Sequence, residues 1–159
     1  MSARYASSTS VPVDRSRAEI EKCLERYGAR GFYYGNEGER AMIGFRVLDT
    51  DGANLAVRMV LGLPSPDQDE FTLTPTRKWR TDAAARQAWE QACRSRWRAL
   101  LLIVKAKLEA VSLGITTIER EFMPDILLPS GKTIGDIVAE QRPALEGGGK
   151  LLLLPGGGK

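Results

Sequence analysis

A single long helix dominates the sequence, because residues 82–113 contain neither glycine nor proline. Thr81 is a typical N-cap residue in front of this run, and Gly114 is a typical residue at which a helix ends. At 100° per residue, one face of the predicted helix is apolar. That face consists of Trp89, Cys93, Trp97, Leu100, Val104, Leu108 and Val111. We expect this helix to organise the fold by covering the apolar face of a sheet.

Three strand-like runs precede the helix, at residues 31–35, 40–48 and 54–63. The short connections between them, NEGE and DTDGA, favour tight reversals, so the runs predict an antiparallel meander. In the second run, apolar residues alternate with more polar ones, which gives one apolar face and one mixed, partly basic face. The apolar residues of this run are Ala41, Ile43, Phe45 and Val47.

Three shorter helices are expected around these elements. The segment before the strands has apolar residues at helical spacing and ends at Gly28. After the long helix, Thr116 and Glu119 have the spacing of a capping box, and Pro124 ends or kinks the short helix that they begin. A last short helix begins at Thr133.

These patterns predict an α+β fold: an N-terminal helix, a three-stranded antiparallel meander, a long helix packed across the sheet, and two short C-terminal helices. We expect a flexible N-terminus at 1–12, one domain at 13–143, and a Gly/Leu-rich flexible tail at 144–159. The longest purely apolar run, ALLLIV at 99–104, is too short to cross a membrane, and the first residues do not resemble a signal peptide. A cytoplasmic protein is therefore expected.

The segment LPSGKTIGD at 128–136 contains the Gly-Lys-Thr triplet of a phosphate-binding loop. A complete loop of this kind needs a glycine five residues before the Gly-Lys pair, and that position is Ile126. The segment is better explained by a turn at Ser130 and Gly131 followed by a helix, with Thr133 as its N-cap and Asp136 three residues further on. Phosphate binding by Lys132 is a minor alternative.

The chain has no histidine, which removes the commonest general base and the commonest zinc ligand. Its carboxylate pairs lie in turns or at helix starts and lack the arrangement of a metal-dependent nuclease. Cys23 and Cys93 both fall on apolar helix faces, so a disulfide is not expected. The sequence therefore predicts a protein that is not an enzyme and that uses no cofactor and no metal.

Basic residues alternate with tryptophan in RKWR at 77–80 and in RSRWR at 94–98. Such segments can bind phosphates through arginine while an indole stacks on a base. Trp97 lies on the apolar face of the long helix and is expected in the core. Trp79 precedes the N-cap Thr81, where an apolar residue commonly packs on the first turn, so it is expected next to the core.

A surface for single-stranded nucleic acid can be assembled from the basic face of the meander and its edge. Its predicted members are Arg40, Arg46 and Arg58 on the open sheet face, Arg77, Lys78 and Arg80 at the edge, and Tyr34 as a stacking platform. The net charge of +3 allows such a partner without requiring it.

Two other sets of residues are candidates for function. Arg96 and Lys107 are nearly eclipsed at the margin of the apolar face of the long helix, which predicts either shared carboxylate partners on the following helix or an anion site. The all-round apolar turn of the helix and the apolar tail favour a protein partner or a second copy of the chain. The partner-binding residues on this hypothesis are Leu101, Leu102, Leu151 and Leu152.

Three sequence blocks occur together and in order: SRAEIEKCLERYGARGF, AWEQACRSRWRALLLIVKAKLEAVSLGITTIEREFM and LPSGKTIGD. In this combination the chain, over about residues 11–140, resembles a family of small phage, prophage and mobile-element proteins to which no function is assigned. The resemblance implies a setting beside replication and recombination genes and supplies no site residues. It favours single-stranded DNA binding in a bacterial host, with inhibition of a host defence complex as the alternative.

Overall fold

The computed structural model describes residues 9–141, and the predicted tail and the leucines Leu151 and Leu152 lie outside them. Helix α1 spans Val13–Glu25, and strands β1, β2 and β3 span Arg30–Glu37, Arg40–Leu48 and Asn54–Gly62. Helices α2 and α3 span Asp69–Thr72 and Asp82–Ser112. Helix α4, Ile118–Phe122, runs into a 3-10 turn at Met123–Asp125, and α5 spans Ile134–Glu140. The predicted α+β architecture is confirmed, and α2 is an addition that the sequence patterns did not predict.

The three strands form one antiparallel sheet in the order β1-β2-β3. Alternation along β2 buries Ala41, Ile43, Phe45 and Val47 on one face, which we call the core face. Helices α1 and α3 pack on each other against this face, and Trp97 of α3 is buried there as expected. The predicted meander and the predicted role of α3 are therefore confirmed.

The core is completed from the C-terminal side by α4. Phe122 is fully buried, and its ring meets that of Phe45 edge-on at a centroid distance of 5.6 Å. The predicted capping box at the start of α4 is wrong, because the N-cap is Thr117 and no side chain caps the helix. Glu119 instead accepts a hydrogen bond from the hydroxyl of Thr50 at 2.9 Å.

Two other predicted helix starts are confirmed. The hydroxyl of Thr81 accepts a hydrogen bond from the backbone N–H of Ala84 at the start of α3. Thr133 and Asp136 form a complete capping box in which each side chain accepts a bond from the other's backbone N–H. The turn before α5 has Gly131 at a φ of +82°, and Lys132 pairs with Glu140 at 2.6 Å. The segment 128–136 is thus built as a turn and a helix start.

The outer edge of β3 is partly covered by the chain that follows the 3-10 turn. Ile126 forms an antiparallel bridge with Val57, and the N–H of Leu127 donates to the carbonyl of Ala56 at 2.8 Å. This contact carries α5 to the β3 side of the sheet. At this position the capping carboxylate of α5, Asp136, lies within ion-pair distance of Arg58 in the sheet.

Candidate nucleic-acid interface

The face of the sheet opposite the core face, which we call the open face, carries the predicted arginines of β2 and β3. Arg46 is cross-strand partner to Ala56, and Arg58 is partner to Gly44. Arg40 begins β2 on the same face, opposite Gly62. Since partners in an antiparallel pair project to the same side, Arg40, Arg46 and Arg58 share one surface, as the alternation predicted.

Tyr34 is not on the open face, so the prediction that it offers a stacking platform is wrong. Its partner is Ile43 on the core face, and its ring lies 6.5 Å from the ring of Trp97. The guanidinium of Arg17 sits 5.5 Å from the Tyr34 ring centroid, and the hydroxyl donates to Glu21 at 3.3 Å. Burial, reinforced by the charge of Glu21, raises the pKa of Tyr34 to about 12. The side chain belongs to the contact between sheet and helices.

The tyrosine on the open face is Tyr33, which the sequence analysis did not select. Its partner is Gly44, and its ring lies directly over that glycine. A Cβ at position 44 would stand 1.8 Å from a carbon of the Tyr33 ring, so the ring occupies the place of the missing side chain. The residue remains 45% exposed. Gly44 therefore allows an aromatic ring to lie on the sheet with one side turned to solvent.

Arg58 is partly committed to an intramolecular contact. Its guanidinium lies 3.3 Å from a carboxylate oxygen of Asp136, the same carboxylate that caps α5. The backbone N–H and hydroxyl of Thr133, followed by the charges of Arg58 and Arg40, lower the pKa of Asp136. The β3 side of the open face thus contains a carboxylate among its arginines, which makes it less basic than the predicted surface.

The end of the open face near Arg46 contains a further arginine, Arg30, which was not predicted from the sequence. Arg30 is the cross-strand partner of Arg46, because the register between β1 and β2 shifts at a bulge between Arg30 and Tyr33. Together they line a concavity of about 370 Å³ at this end of the sheet. The signal in the sequence was Gly31, since glycine in a strand often marks a bulge.

The basic segment at 77–80 belongs to the connection between α2 and α3 and not to a strand of the sheet. It forms a tight reversal in which Leu73 pairs with Trp79, and Arg77 takes a positive φ of 58°. Arg80 donates its Nε–H to the carbonyl of Leu73 at 2.9 Å, which ties down the end of the reversal. Arg77 lies 3.8 Å from Asp69, while Lys78 is exposed. Backbone hydrogen bonds of 2.8 Å from Thr74 to Lys78 and from Arg77 to Thr74 close the reversal.

Trp79 is 79% exposed, so the expectation that it packs next to the core is wrong. Its backbone is held in the bridge to Leu73, and this directs the indole outward instead of onto the first turn of α3. An indole this exposed buries little apolar area within its own chain. Among the described residues, Trp79 and Tyr33 are therefore the two aromatic side chains most open to a stacking partner.

Arg96 and Lys107 do not form one site. Lys107 pairs with Glu121 of α4 at 3.6 Å and also donates to the backbone carbonyl of Glu121, as the carboxylate alternative predicted. Arg96 instead donates to the backbone carbonyl of Gly62 at 3.2 Å and has no carboxylate partner among residues 9–141. The prediction that the two cations share an anionic environment is wrong, because α4 reaches only the C-terminal half of α3.

The predicted partner-binding leucines are divided by burial. Leu101 is 0% exposed and packs in the core, so it is not available to a partner while the domain is folded. Leu102 is only half-buried. Helix α1 packs beside α3, so this helix is covered on more than the side that faces the sheet.

The described residues contain neither a cluster of three or more potential metal-ligating His, Cys, Asp or Glu side chains nor a helix long and apolar enough to cross a bilayer. Both cysteines are free thiols, and burial raises the pKa of Cys93. No family model, curated protein or solved structure matches the chain. The resemblance to phage and mobile-element proteins stays a prediction.

Proposed function

We propose that the chain is a non-catalytic protein that binds single-stranded nucleic acid, in the replication or recombination of a phage or other mobile element. The observation that carries the proposal is the composition of the open face. An aromatic ring, Tyr33, lies on the sheet over Gly44, and arginines flank it on β2. Proteins that bind single strands without reading the sequence combine these two features, with cations for the backbone and rings for the bases.

The arginines that form no ion pair within residues 9–141 supply the electrostatic part of the proposal, although the charge of Arg40 also acts on Asp136. Arg40 and Arg46 are exposed and form no ion pair with another residue of the described domain, whereas Arg58 is paired with Asp136. Arg40 and Arg46 are therefore the residues expected to contact phosphates, and Arg58 contributes less. The outward-directed Trp79, beside Lys78, provides a second place where a base can stack.

Fluorescence anisotropy with a labelled single strand of about 16 nucleotides tests this proposal. The affinity should fall steeply between about 50 mM and about 200 mM salt, because phosphate contacts release counterions. Arg40→Gln should make the slope of log K against log salt less negative by about 0.7, the contribution of one phosphate on a single strand. Arg86→Gln is the matched control, because Arg86 lies on α3 in the helical layer and pairs there with Glu90.

The stacking part is tested by Tyr33→Leu and Trp79→Ala. Leucine at position 33 keeps an apolar cover over Gly44 while removing the aromatic face. Each variant should bind the strand with a free energy weaker by about 1–3 kcal/mol if its ring stacks on one base. No binding by the wild type at the lower salt concentration would overturn the proposal and direct attention to a protein partner.

A further inference from the structure

Arg30 lies on the open face only because of the bulge in β1. Tyr34 pairs with Ile43 and Tyr33 with Gly44, and in this register residue 30 would stand opposite Val47. Val47 is 3% exposed and belongs to the core, where an arginine would be buried without a partner. The bulge moves the pairing by one residue and sets Arg30 opposite Arg46 instead. Gly31 allows it, with a φ of +69° that other residues rarely adopt.

The shifted register places two arginines directly opposite each other on neighbouring strands. Like charges directly opposite each other on neighbouring strands destabilise a sheet. Neither Arg30 nor Arg46 has an ion pair or a side-chain hydrogen bond within residues 9–141. Asp49, which follows β2 in the chain, forms no ion pair with either arginine, and its Oδ1 accepts the backbone N–H groups of Asp51 and Ala53 at 3.0 and 2.7 Å. The two arginines therefore have no ion-pair partner within the described domain.

The space around the pair is suited to a small anion. The concavity of about 370 Å³ is lined by the two arginines together with Gly28, Gly31, Val47, Leu48 and Asn54. A Cβ at either glycine would meet no atom within 4 Å, so the backbone leaves this space open. Arginine presents a planar set of N–H donors that matches phosphate oxygens in pairs, and the Asn54 amide can add a further donor.

We propose that Arg30 and Arg46 form a binding site for a phosphate monoester group. Two guanidinium charges match a phosphate monoester, which carries a charge of about −1.5 to −2 at neutral pH, better than a singly charged phosphodiester. A phosphate group of this kind can come from two sources. One is the 5′-phosphate at the end of a strand, and the other is a free phosphate or a small phosphoester. The first source rests on the proposed function, while the second is independent of it.

Two measurements on the full chain test the site. Thermal unfolding is followed in inorganic phosphate and in chloride at equal ionic strength, and anisotropy compares one strand with and without a 5′-phosphate. The wild type should unfold at a higher temperature in phosphate and bind the 5′-phosphorylated strand roughly tenfold more tightly, as expected for charge-assisted hydrogen bonds. Arg30→Gln and Arg46→Gln should each lose both effects, and Arg86→Gln should keep them.

The outcomes separate this site from the proposed function. If strands bind but neither the 5′-phosphate nor inorganic phosphate has an effect that depends on Arg30 and Arg46, the phosphate site is refuted and strand binding stands. If phosphate stabilises the wild type through both arginines but no strand binds, the site stands with a free phosphate or phosphoester as ligand. Equal stabilisation of the wild type and both variants by phosphate would refute the site, because the effect would be a general one of the anion.

Discussion

The contact between Tyr33 and Gly44 allows the effect of side-chain packing on stability to be separated from the effect of backbone preference. In Gly44→Ala, the new methyl group would stand 1.8 and 2.0 Å from two ring carbons of Tyr33 and 2.4 Å from its hydroxyl oxygen, so the ring must leave its position. Gly44 does not have a positive φ, so alanine is compatible with its backbone. Any loss of stability in this variant therefore comes from the displaced ring.

The size of the loss follows from the area that the ring covers. Tyr33 is 45% exposed, so a little more than half of it is buried, or about 80–140 Å² of a typical aromatic side chain. At about 25 cal/mol per Å², this burial contributes about 2–3.5 kcal/mol as an upper value. Replacing glycine by alanine in a strand returns about 0.5–1 kcal/mol. We expect Gly44→Ala to lower the free energy of unfolding by about 1–3 kcal/mol.

Urea denaturation of a double-mutant cycle checks this reasoning. In the Tyr33→Ala background no ring occupies the space over position 44, so Gly44→Ala should become stabilising by about 0.5–1 kcal/mol. The sign of the substitution is thus expected to reverse between the two backgrounds. An equal loss of stability in both backgrounds would refute the argument, because the cost would then lie in the backbone at position 44.

Three further predictions concern single groups. Burial raises the pKa of Asp125 despite the nearby charge of Lys107, so Asp125→Asn should raise the melting temperature at neutral pH. This gain should disappear as the pH falls through the raised pKa of Asp125 towards the normal pKa of aspartate, and a variant less stable at neutral pH would show that Lys107 dominates. Because the Thr133 hydroxyl caps α5, Thr133→Ala should lower the free energy of unfolding by about 1 kcal/mol in denaturant titrations, whereas Thr133→Ser should lower it much less. Equal losses in the two variants would assign the effect to the methyl group. Since the pKa of Tyr34 is raised to about 12, the folded state loses stability as the pH rises from 10 towards 12, and a comparison of alkaline unfolding should show Tyr34→Phe spared this loss.

Long, regular segments of this chain were predictable because their patterns are repeated many times. The absence of helix breakers in 82–113 and the alternation along β2 each depend on several residues, so a single exception does not change the result. Thr81 and Thr133 were also predictable, since N-capping involves only groups within one helical turn. The fold class therefore followed from local information.

The candidate site was less predictable because it depends on single residues and on register. Tyr33 and Tyr34 are adjacent, and a shift of one position decides which ring faces the core. The bulge that turns Arg30 outward is a property of the pairing between strands, and Gly31 alone does not fix it. Trp79 has the position of a residue that packs on a helix, but the bridge to Leu73 directs it away. These features are set by contacts between segments.

The antiparallel bridge between Ile126 and Val57 has a consequence for how the domain opens. The ion pair beside it joins Arg58 and Asp136, residues 78 positions apart, whereas the meander and the contact between α1 and the strands form from neighbouring segments. Such distant contacts are the slowest to form during folding, and a short helix held at an exposed edge is the easiest to release. Hydrogen exchange at the amide of Leu127 should therefore be faster than exchange at the centre of β2. Release of this segment would free Arg58 from its carboxylate and uncover the edge of β3, so local unfolding and the charge of the open face are coupled.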